Sequence, residues 1–325
     1  MRVRAASNNA WGGRKIAKVM RNHGEVVVPA ASTITEILRR HGKLEARSHE
    51  HPGPYQRFER AEPNELWQMD FKGHFAMAEG RCHPLTVLDD HSRYSLAVAA
   101  CGNEQDTTVR AQLVPVFRRY GLPFMMLMDN GSPWGDAGNQ PHTIFTVWLM
   151  QLGVRVTHGR PFHPQTQGKD ERFHRTLKAE VLSGNSFRDL VACQRAFDRW
   201  RHVYNHERPH EALAFAAPCE RYRASLRSFP ETLPAIEYGP GDTVRKVDAL
   251  GYISFKSRRL HVGKAFRGHP IALRPTGEDG VLGVHFCALR IGTLDLREAA
   301  PQACGHVDNA SALPTSPQAQ QQQPL

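Results

Sequence analysis

Residues 161–182 read PFHPQTQGKDERFHRTLKAEVL. The stretch begins as a loop of Pro, Gly and polar residues, and its later part has the residue spacing of a helix. Phe173 and Leu177 share one side of that helix, whereas Glu171 lies on the opposite side. We therefore expect a helix that is buried along one side and charged along the other. The cations expected beside Glu171 are Arg175 and Lys178.

The composition is that of a globular protein with an excess of positive charge. Of 325 residues, 40% are hydrophobic and 23% are charged, which allows two or three small domains. Lys and Arg number 42 against 32 acids, a net charge of +10, and residues 1–60 hold 12 basic and five acidic side chains. This charge favours a polyanionic partner such as nucleic acid, the alternative being a basic protein without one.

Cysteine usage and hydropathy favour a cytoplasmic protein. No Cys-x-x-Cys pair is present, so neither a zinc knuckle nor a disulfide framework is indicated, and buried thiols are expected. The sequence has no apolar run of about 18 residues, and MRVRAASNNAW at the N-terminus lacks the apolar core of a signal peptide. We expect a cytoplasmic protein associated with the nucleoid. The cysteines are Cys82, Cys101, Cys193, Cys219, Cys287 and Cys304.

Two short helices are predicted near the N-terminus. The first runs from about 14 to 22, and the second lies in ASTITEILRRHG, residues 31–42. Thr33 and Glu36 have capping-box spacing in the second helix. The pair is either a helix-turn-helix, which sets its second helix in a DNA major groove, or an ordinary helical hairpin. The second helix has an apolar stripe of Ile34, Ile37 and Leu38 and an outward basic pair, Arg39 and Arg40.

Strand and helix patterns then alternate as in one mixed α/β domain. LWQMDFKGHFAM, residues 66–77, alternates like a half-buried strand with Asp70 on its polar side. PFMMLMDNG, residues 123–131, is a buried strand that ends at Asp129 before an Asn-Gly turn. After residue 238, Gly-punctuated strands such as GYISFKSRRLHV suggest a small barrel. Its basic residues are Arg245, Lys246, Lys256, Arg258 and Arg259.

Three acids stand at positions that suit metal binding: Asp70 in a strand, Asp129 at the end of another, and Glu171 at the start of the helix. Taken singly, these acids have structural explanations. Asp129 before Asn-Gly is typical of a turn, and Glu171 suits the first turn of a helix, where it could pair with Arg175. Together, carboxylates at one end of a sheet suit a pair of hard cations. Such a site would catalyse phosphoryl transfer in nucleic acid without a protein nucleophile.

The motifs WQMDFKG, LDDHSRY, MDNGSPW, HPQTQGKDERFHRTLKAE and YNHERPHEAL together resemble the catalytic core of DDE transposases of bacterial insertion sequences, in the retroviral-integrase superfamily. The resemblance covers roughly residues 10–225. It implies an RNase H-like fold in which Asp70, Asp129 and Glu171 are the metal-binding triad. It also implies two Mg²⁺ ions, for which Mn²⁺ can substitute, and a reaction that nicks the element's ends and joins them to target DNA.

The resemblance also implies partners and DNA contacts. The partners are double-stranded DNA, as element ends and target, and further copies of this chain in a dimer or larger assembly. Lys169, Arg172, Arg175, Lys178, Arg39 and Arg40 are expected to contact DNA. The loop residues His163, Pro164, Gln165 and Gly168 are expected to present Glu171. The domains expected are a partial helix-turn-helix over 1–43, a linker over 44–64, an RNase H-like core over 65–225, a linker over 226–237, a β-rich domain over 238–298 and a disordered tail over 299–325.

Several alternatives stay open at the sequence level. Asp170 neighbours Glu171 and competes with it as third ligand, while Asp89 and Asp90 compete with Asp70. Relatives usually carry more helix-turn-helix material before Trp11, which predicts an N-terminally truncated copy. The alternative functions are a DNA-binding relic or repressor without catalysis, and a nuclease that uses water alone.

Overall fold

The structure is a computed structural model that describes residues 10–44, 59–135, 142–159 and 168–297. The chain divides into two compact units. The first unit comprises Met1–Pro123 and Gly159–Ser228, and the second comprises Phe124–His158 and Phe229–Leu325. The helices are α1 (Gly13–Asn22), α2 (Ala31–Arg40), α3 (Asp106–Tyr120), α4 (Ile144–Gln151), α5 (Gly168–Leu177) and α6 (Leu190–His206).

The strands include two groups that match the sequence expectation of an α/β region followed by a β-rich region. In the first group are β1 (Trp67–Phe71), β2 (Phe75–Ala76), β3 (Arg81–Asp89), β4 (Ser95–Cys101), β5 (Met125–Met128) and β6 (Arg155–His158). In the second are β7 (Thr243–Lys246), β8 (Tyr252–Phe255), β9 (Arg258–His261), β10 (Pro270–Pro275), β11 (Val281–Phe286) and β12 (Leu289–Asp295).

In the first unit, β3 is the strand on which the others assemble, because it pairs antiparallel with β1, β2 and β4. Asp70 lies opposite Thr86 in the β1–β3 register. The predicted half-buried alternation of β1 is wrong at Gln68, which is buried because its side chain donates a 2.6 Å hydrogen bond to Asp90. A polar residue can therefore occupy a buried strand position when its amide has a partner.

Two helices cover this sheet and form its apolar core. Phe173 and Leu177 of α5 pack with Phe197 of α6 against Leu88 and Val98 of the sheet. Each such side chain contributes about 1.5–3 kcal/mol when it is fully buried. The buried side predicted for the α5 stretch is therefore present. The helix does not continue regularly to residue 182, since Lys178–Leu182 form a π-helix.

The N-terminal helices form as predicted, but α2 begins differently from the expectation. Its N-cap is Ala30, and no side chain caps the helix. The capping box predicted at Thr33 is wrong because Thr33 lies inside the first turn, and the Glu36 carboxylate instead pairs with Arg39 and Arg40. Ile37 is 40% exposed, so the buried stripe of α2 is narrower than predicted.

In the second unit, β5 and β6 form a parallel pair, and α4 connects them in the sequence. The C-terminal region holds an antiparallel sheet in the order β12-β11-β10-β7 and the separate hairpin β8–β9. GYISFKSRRLHV is thus two strands and not one. Lys256 and Ser257 between them have φ of 44° and 57°, the conformation of a two-residue hairpin turn.

The predicted fold class is confirmed as a mixed α/β arrangement with parallel and antiparallel strand pairs, flanking helices and a C-terminal β region. The five cysteines in the described ranges form no disulfide. Within those ranges, no helix has the length and hydropathy needed to cross a bilayer. Cys304, the tail predicted from 299 and the loop residues His163, Pro164 and Gln165 lie outside the described residues.

Candidate catalytic site

Asp70 lies near the end of β1, where its side chain remains 29% exposed. The hydroxyl of Thr86 on β3 donates to the Asp70 carbonyl at 3.0 Å and lies 2.8 Å from Nε2 of His174. Since the hydroxyl proton goes to the carbonyl, Nε2 of His174 donates to Thr86. Burial lowers the pKa of His174 to about 4, so its 3.9 Å approach to the Asp70 carboxylate is not an ion pair at neutral pH. Sequence reasoning missed this supporting histidine.

The two acids that open α5 have different surroundings. Asp170 is only 3% exposed, and its Oδ1 has no hydrogen-bond partner. Burial, followed by the negative charges of Asp70 and Asp90, raises the pKa of Asp170 well above its usual value. Glu171, by contrast, is exposed. The fold therefore brings Asp170 near Asp70 inside the protein and places Glu171 at the surface of the same turn.

Asp89 and Asp90, the sequence alternatives to Asp70, are both fully buried and used by internal hydrogen bonds. Asp89 accepts hydrogen bonds from the Asn64 amide at 2.7 Å and from the Ser92 amide and hydroxyl at 2.8 and 2.6 Å. Asp90 accepts from the Arg60 amide at 2.8 Å and from Gln68 and Lys169. Through these hydrogen bonds, both carboxylates stabilise the residues around the end of β3.

The predicted DNA-contacting cations of α5 and of the π-helix that follows it do not share one environment. The Lys169 ammonium is 2.5 Å from the Asp90 carboxylate, its side chain is 15% exposed, and burial lowers its pKa to about 8. Arg172, Arg175 and Lys178 are exposed. Lys169 is therefore held inside the protein, while the other three line an open basic surface. Arg39 and Arg40 on α2 are exposed, and both form ion pairs with the carboxylate of Glu36.

Asp129 belongs to the second unit, where it follows β5. Its Oδ1 accepts hydrogen bonds from the Gly131 amide at 2.9 Å and from Nε1 of Trp134 at 2.6 Å. A Cβ at position 131 would lie 3.2 Å from both oxygens of the carboxylate, so a larger residue there would crowd Asp129. The Asp129 carbonyl also accepts from Nδ1 of His158 at 2.7 Å. Within the described chain, Oδ2 has no hydrogen-bond donor.

The candidate ligands suit a divalent cation in chemical type. All are carboxylates, the ligands that Mg²⁺ and Mn²⁺ prefer. Oδ1 of Asp170 has no hydrogen-bond partner and lies near Asp70, where a cation would offset both the burial and the negative charges that raise the pKa of Asp170. Among the described residues, no group of three acidic, histidine or cysteine side chains forms a metal centre by itself.

Comparison with known proteins finds three matching family models. The integrase core domain matches residues 60–164 and, as a second model, residues 152–218. The C-terminal domain of the IS481 family transposases matches residues 242–302. The chain is therefore similar to integrase cores over residues 60–218 and to the C-terminal domain of IS481 family transposases over residues 242–302.

The sequence relatives are proteins of insertion elements. The chain is 26% identical over 179 residues to the insertion element IS476 uncharacterized 39.2 kDa protein of Xanthomonas euvesicatoria, over 55% of this chain and 49% of the relative. It is 26% identical over 158 residues to the insertion element IS407 uncharacterized 31.7 kDa protein of Burkholderia multivorans, over 49% of this chain and 55% of the relative. The chain thus spans about half the length of the curated relatives it matches.

A structural comparison aligned 88% of this chain with 96% of a chain in the simian T-cell lymphotropic virus intasome in complex with PP2A regulatory subunit B56 gamma, at 17% identity and a TM-score of 0.43. Family models and sequence relatives together confirm the resemblance to insertion-sequence transposases with a retroviral-type integrase core.

Proposed function

We propose that this protein is a metal-dependent transposase, which cuts the ends of an insertion sequence and transfers the strands into target DNA. The observation that carries the proposal is the packing of β1 against α5, which puts Asp70 beside the acidic first turn of a helix whose open surface is basic. Acids for metal ions next to cations for phosphates are what phosphoryl transfer on DNA requires.

Asp70, Asp129 and Glu171 are the proposed metal ligands, and Mg²⁺ is the proposed metal, with Mn²⁺ as a substitute. When bound, a pair of such ions activates water or a 3′-hydroxyl and stabilises the leaving oxygen. Glu171 is assigned over Asp170 because it is exposed and directly precedes Arg172, as the family motif requires. The neutral His174 holds Thr86 and thereby the backbone of Asp70.

Exposed cations complete the proposed site. Arg172 and Arg175 of α5 and Lys178, which directly follows α5, are the proposed contacts to the DNA backbone on either side of the reacting phosphate. The proposed partners are double-stranded DNA and further copies of this chain, since two element ends must react in one complex. The nucleoid is the proposed location. The domain limits inferred from sequence, including a DNA-binding role for α2, are part of the same proposal.

A strand-joining assay tests this function. The purified chain is incubated with a labelled duplex of the element's terminal repeat, which can be found as inverted repeats in the flanking DNA, with and without Mg²⁺ or Mn²⁺. Metal-dependent nicked and joined products are expected, and Asp70→Asn should abolish both because it removes a metal ligand. Nicking without joining would indicate a nuclease, and binding without either product would indicate a DNA-binding relic.

A further inference from the structure

A histidine of α5 lies beside the acids considered as metal ligands. His174 is 8% exposed and comes one helical turn after Asp170 and Glu171. At about 100° per residue, its side chain projects about 40° from the direction of Asp170 and about 60° from that of Glu171. The three side chains therefore leave neighbouring parts of one helix face. The helix packs next to β1, which carries Asp70.

Hydrogen bonds determine which nitrogen of His174 faces Asp70. Nε2 lies 2.8 Å from the Thr86 hydroxyl, which donates to the Asp70 carbonyl at 3.0 Å. The hydroxyl has one proton, so Nε2 is the donor in its contact with Thr86, and the neutral ring keeps a lone pair on Nδ1. Nδ1 is the atom turned toward Asp70, at 3.9 Å from Oδ2 of the carboxylate. Two electron-pair donors therefore face each other across this distance.

The distance between these two atoms suits two ligands of one metal ion. Imidazole nitrogens and carboxylate oxygens bind small divalent ions at about 2.0–2.2 Å, so two ligand atoms of one ion lie at most about 4.4 Å apart. The 3.9 Å between Nδ1 and Oδ2 is within that limit, and it is longer than a hydrogen bond. The Asp70 side chain is 29% exposed, so an ion can reach the pair from solvent.

The other side of the imidazole ring has the contact typical of a metal-bound histidine. Such a histidine donates its second N–H to a fixed acceptor, which sets the tautomer and the orientation of the ring. Oγ1 of Thr86 is that acceptor, and it is itself tied to the backbone of Asp70. In the part of the chain that the structure describes, Nδ1 makes no hydrogen bond. A purely structural histidine would satisfy Nε2 in this way but would not need Nδ1 to face a carboxylate.

We propose that Nδ1 of His174 is a metal ligand and that it binds the same ion as Asp70. This inference rests on the proposed function, which requires the divalent ion, and it adds a nitrogen to the proposed set of carboxylates. Imidazole suits first-row transition ions, whereas Mg²⁺ prefers oxygen ligands. His174 therefore biases the ion at Asp70 toward Mn²⁺. The two side chains are part of a coordination sphere that water and DNA phosphate oxygens complete.

Pulsed electron paramagnetic resonance of Mn²⁺ tests the ligand directly. The full chain is titrated with Mn²⁺, with and without a duplex of the terminal repeat, and the bound ion is examined for the nitrogen coupling of a coordinated imidazole. The wild type should show this coupling, and Asp70→Asn and His174→Gln should both lose it. His174→Gln keeps an amide that can donate to Thr86. Its Mn²⁺ affinity should fall about tenfold or more, whereas its Mg²⁺ affinity, measured by displacement of Mn²⁺, should fall less.

Two further variants control the result. His83 is a partly buried histidine on β3 whose Nδ1 lies 2.8 Å from Glu104, and His83→Gln should leave the nitrogen coupling unchanged. Thr86→Val removes the acceptor of Nε2, so it should lower the Mn²⁺ affinity about tenfold while the nitrogen coupling is kept. This variant also tests the proposal if His174→Gln is unstable. Thermal unfolding without metal shows that each variant is folded.

The outcomes separate this ligand from the proposed function. Bound Mn²⁺ without nitrogen coupling in the wild type, coupling that persists in His174→Gln, or coupling that is lost in His83→Gln would overturn the ligand and leave the transposase function intact. Unchanged Mn²⁺ affinity in Thr86→Val would also count against it. Nitrogen-coupled Mn²⁺ in a protein that joins no strands would support the ligand and contradict the function alone. Absence of bound Mn²⁺ with and without DNA would contradict both.

Discussion

Single residues that look equivalent in the sequence differ in the structure by their burial. Asp170 and Glu171 are adjacent acids at the start of α5, yet the first is buried near Asp70 and the second is exposed. Burial of a carboxyl without a partner disfavours its charged form. The raised pKa of Asp170 therefore makes it a source of instability at neutral pH in the protein without metal.

Asp170→Asn should stabilise the metal-free protein at neutral pH, because it removes a carboxyl whose ionisation is disfavoured by burial and by the charges of Asp70 and Asp90. The sign follows from linkage: a carboxyl whose pKa is raised on folding destabilises the folded state as pH rises above its usual value of 3.8. Urea unfolding between about pH 4 and pH 8 should show this loss in the wild type and a weaker loss in the variant. Glu171→Gln is the matched control and should change the profile little. A variant less stable than wild type at pH 7 would contradict the argument.

Glu180, a buried residue of the π-helix that follows α5, offers a second test at the residue scale. Glu180→Ala should lower the free energy of unfolding by about 3–5 kcal/mol, since it leaves Arg208 as a buried charge without a partner and removes the acceptor of two indoles. Chemical denaturation measures the loss. Glu36→Ala, which removes an exposed carboxylate that also pairs with arginines, should cost less than about 1 kcal/mol. Equal losses in the two variants would contradict the role of burial.

At the scale of secondary-structure elements, the start of α5 is fixed by the buried pair of Lys169 and Asp90. Asp90 follows β3, so the ion pair ties the first turn of the helix to the sheet. The same turn carries Asp170 and Glu171. Among the described residues, this pair joins the acidic turn to the residue that follows β3.

Lys169→Met should destabilise the protein by about 3 kcal/mol, because it leaves the buried Asp90 charge without its cation. The salt dependence of DNA binding should stay at the wild-type value, since the Lys169 ammonium is occupied inside the protein. Arg175→Met should have the opposite profile, with unchanged stability and a salt slope lower by about one. A lower salt slope in Lys169→Met would instead favour the DNA contact expected from sequence.

Periodicity and turn residues predicted most elements, because their patterns are local. The apolar spacing of Phe173 and Leu177 located the buried side of α5, and the Asn-Gly turn located the end of β5. Local patterns could not predict the buried Gln68, whose partner Asp90 comes from another strand end. They also placed the candidate acids without distinguishing Asp170 from Glu171. That distinction depends on β1, which is remote in sequence from α5.

At the scale of the whole molecule, charged residues from distant parts of the sequence meet where α1 packs beside α6. Lys15 lies near Arg208 and Arg172, and its pKa is lowered to about 8 by burial and by those charges. The acids that oppose this shift are Glu180 and Glu211. His210 is also nearby, and burial keeps its pKa well below the usual value, so it is neutral at pH 7.

The measurement that tests the central claim most directly compares wild type, Glu171→Gln and Asp170→Asn in the Mg²⁺-dependent strand-joining assay, with DNA binding followed in parallel. The wild type should join strands only when metal is present. Glu171→Gln should bind DNA at near the wild-type level and join none, because it removes a metal ligand and not a phosphate contact, whereas Asp170→Asn should retain joining. Strand joining by Glu171→Gln would contradict the assignment of the catalytic site.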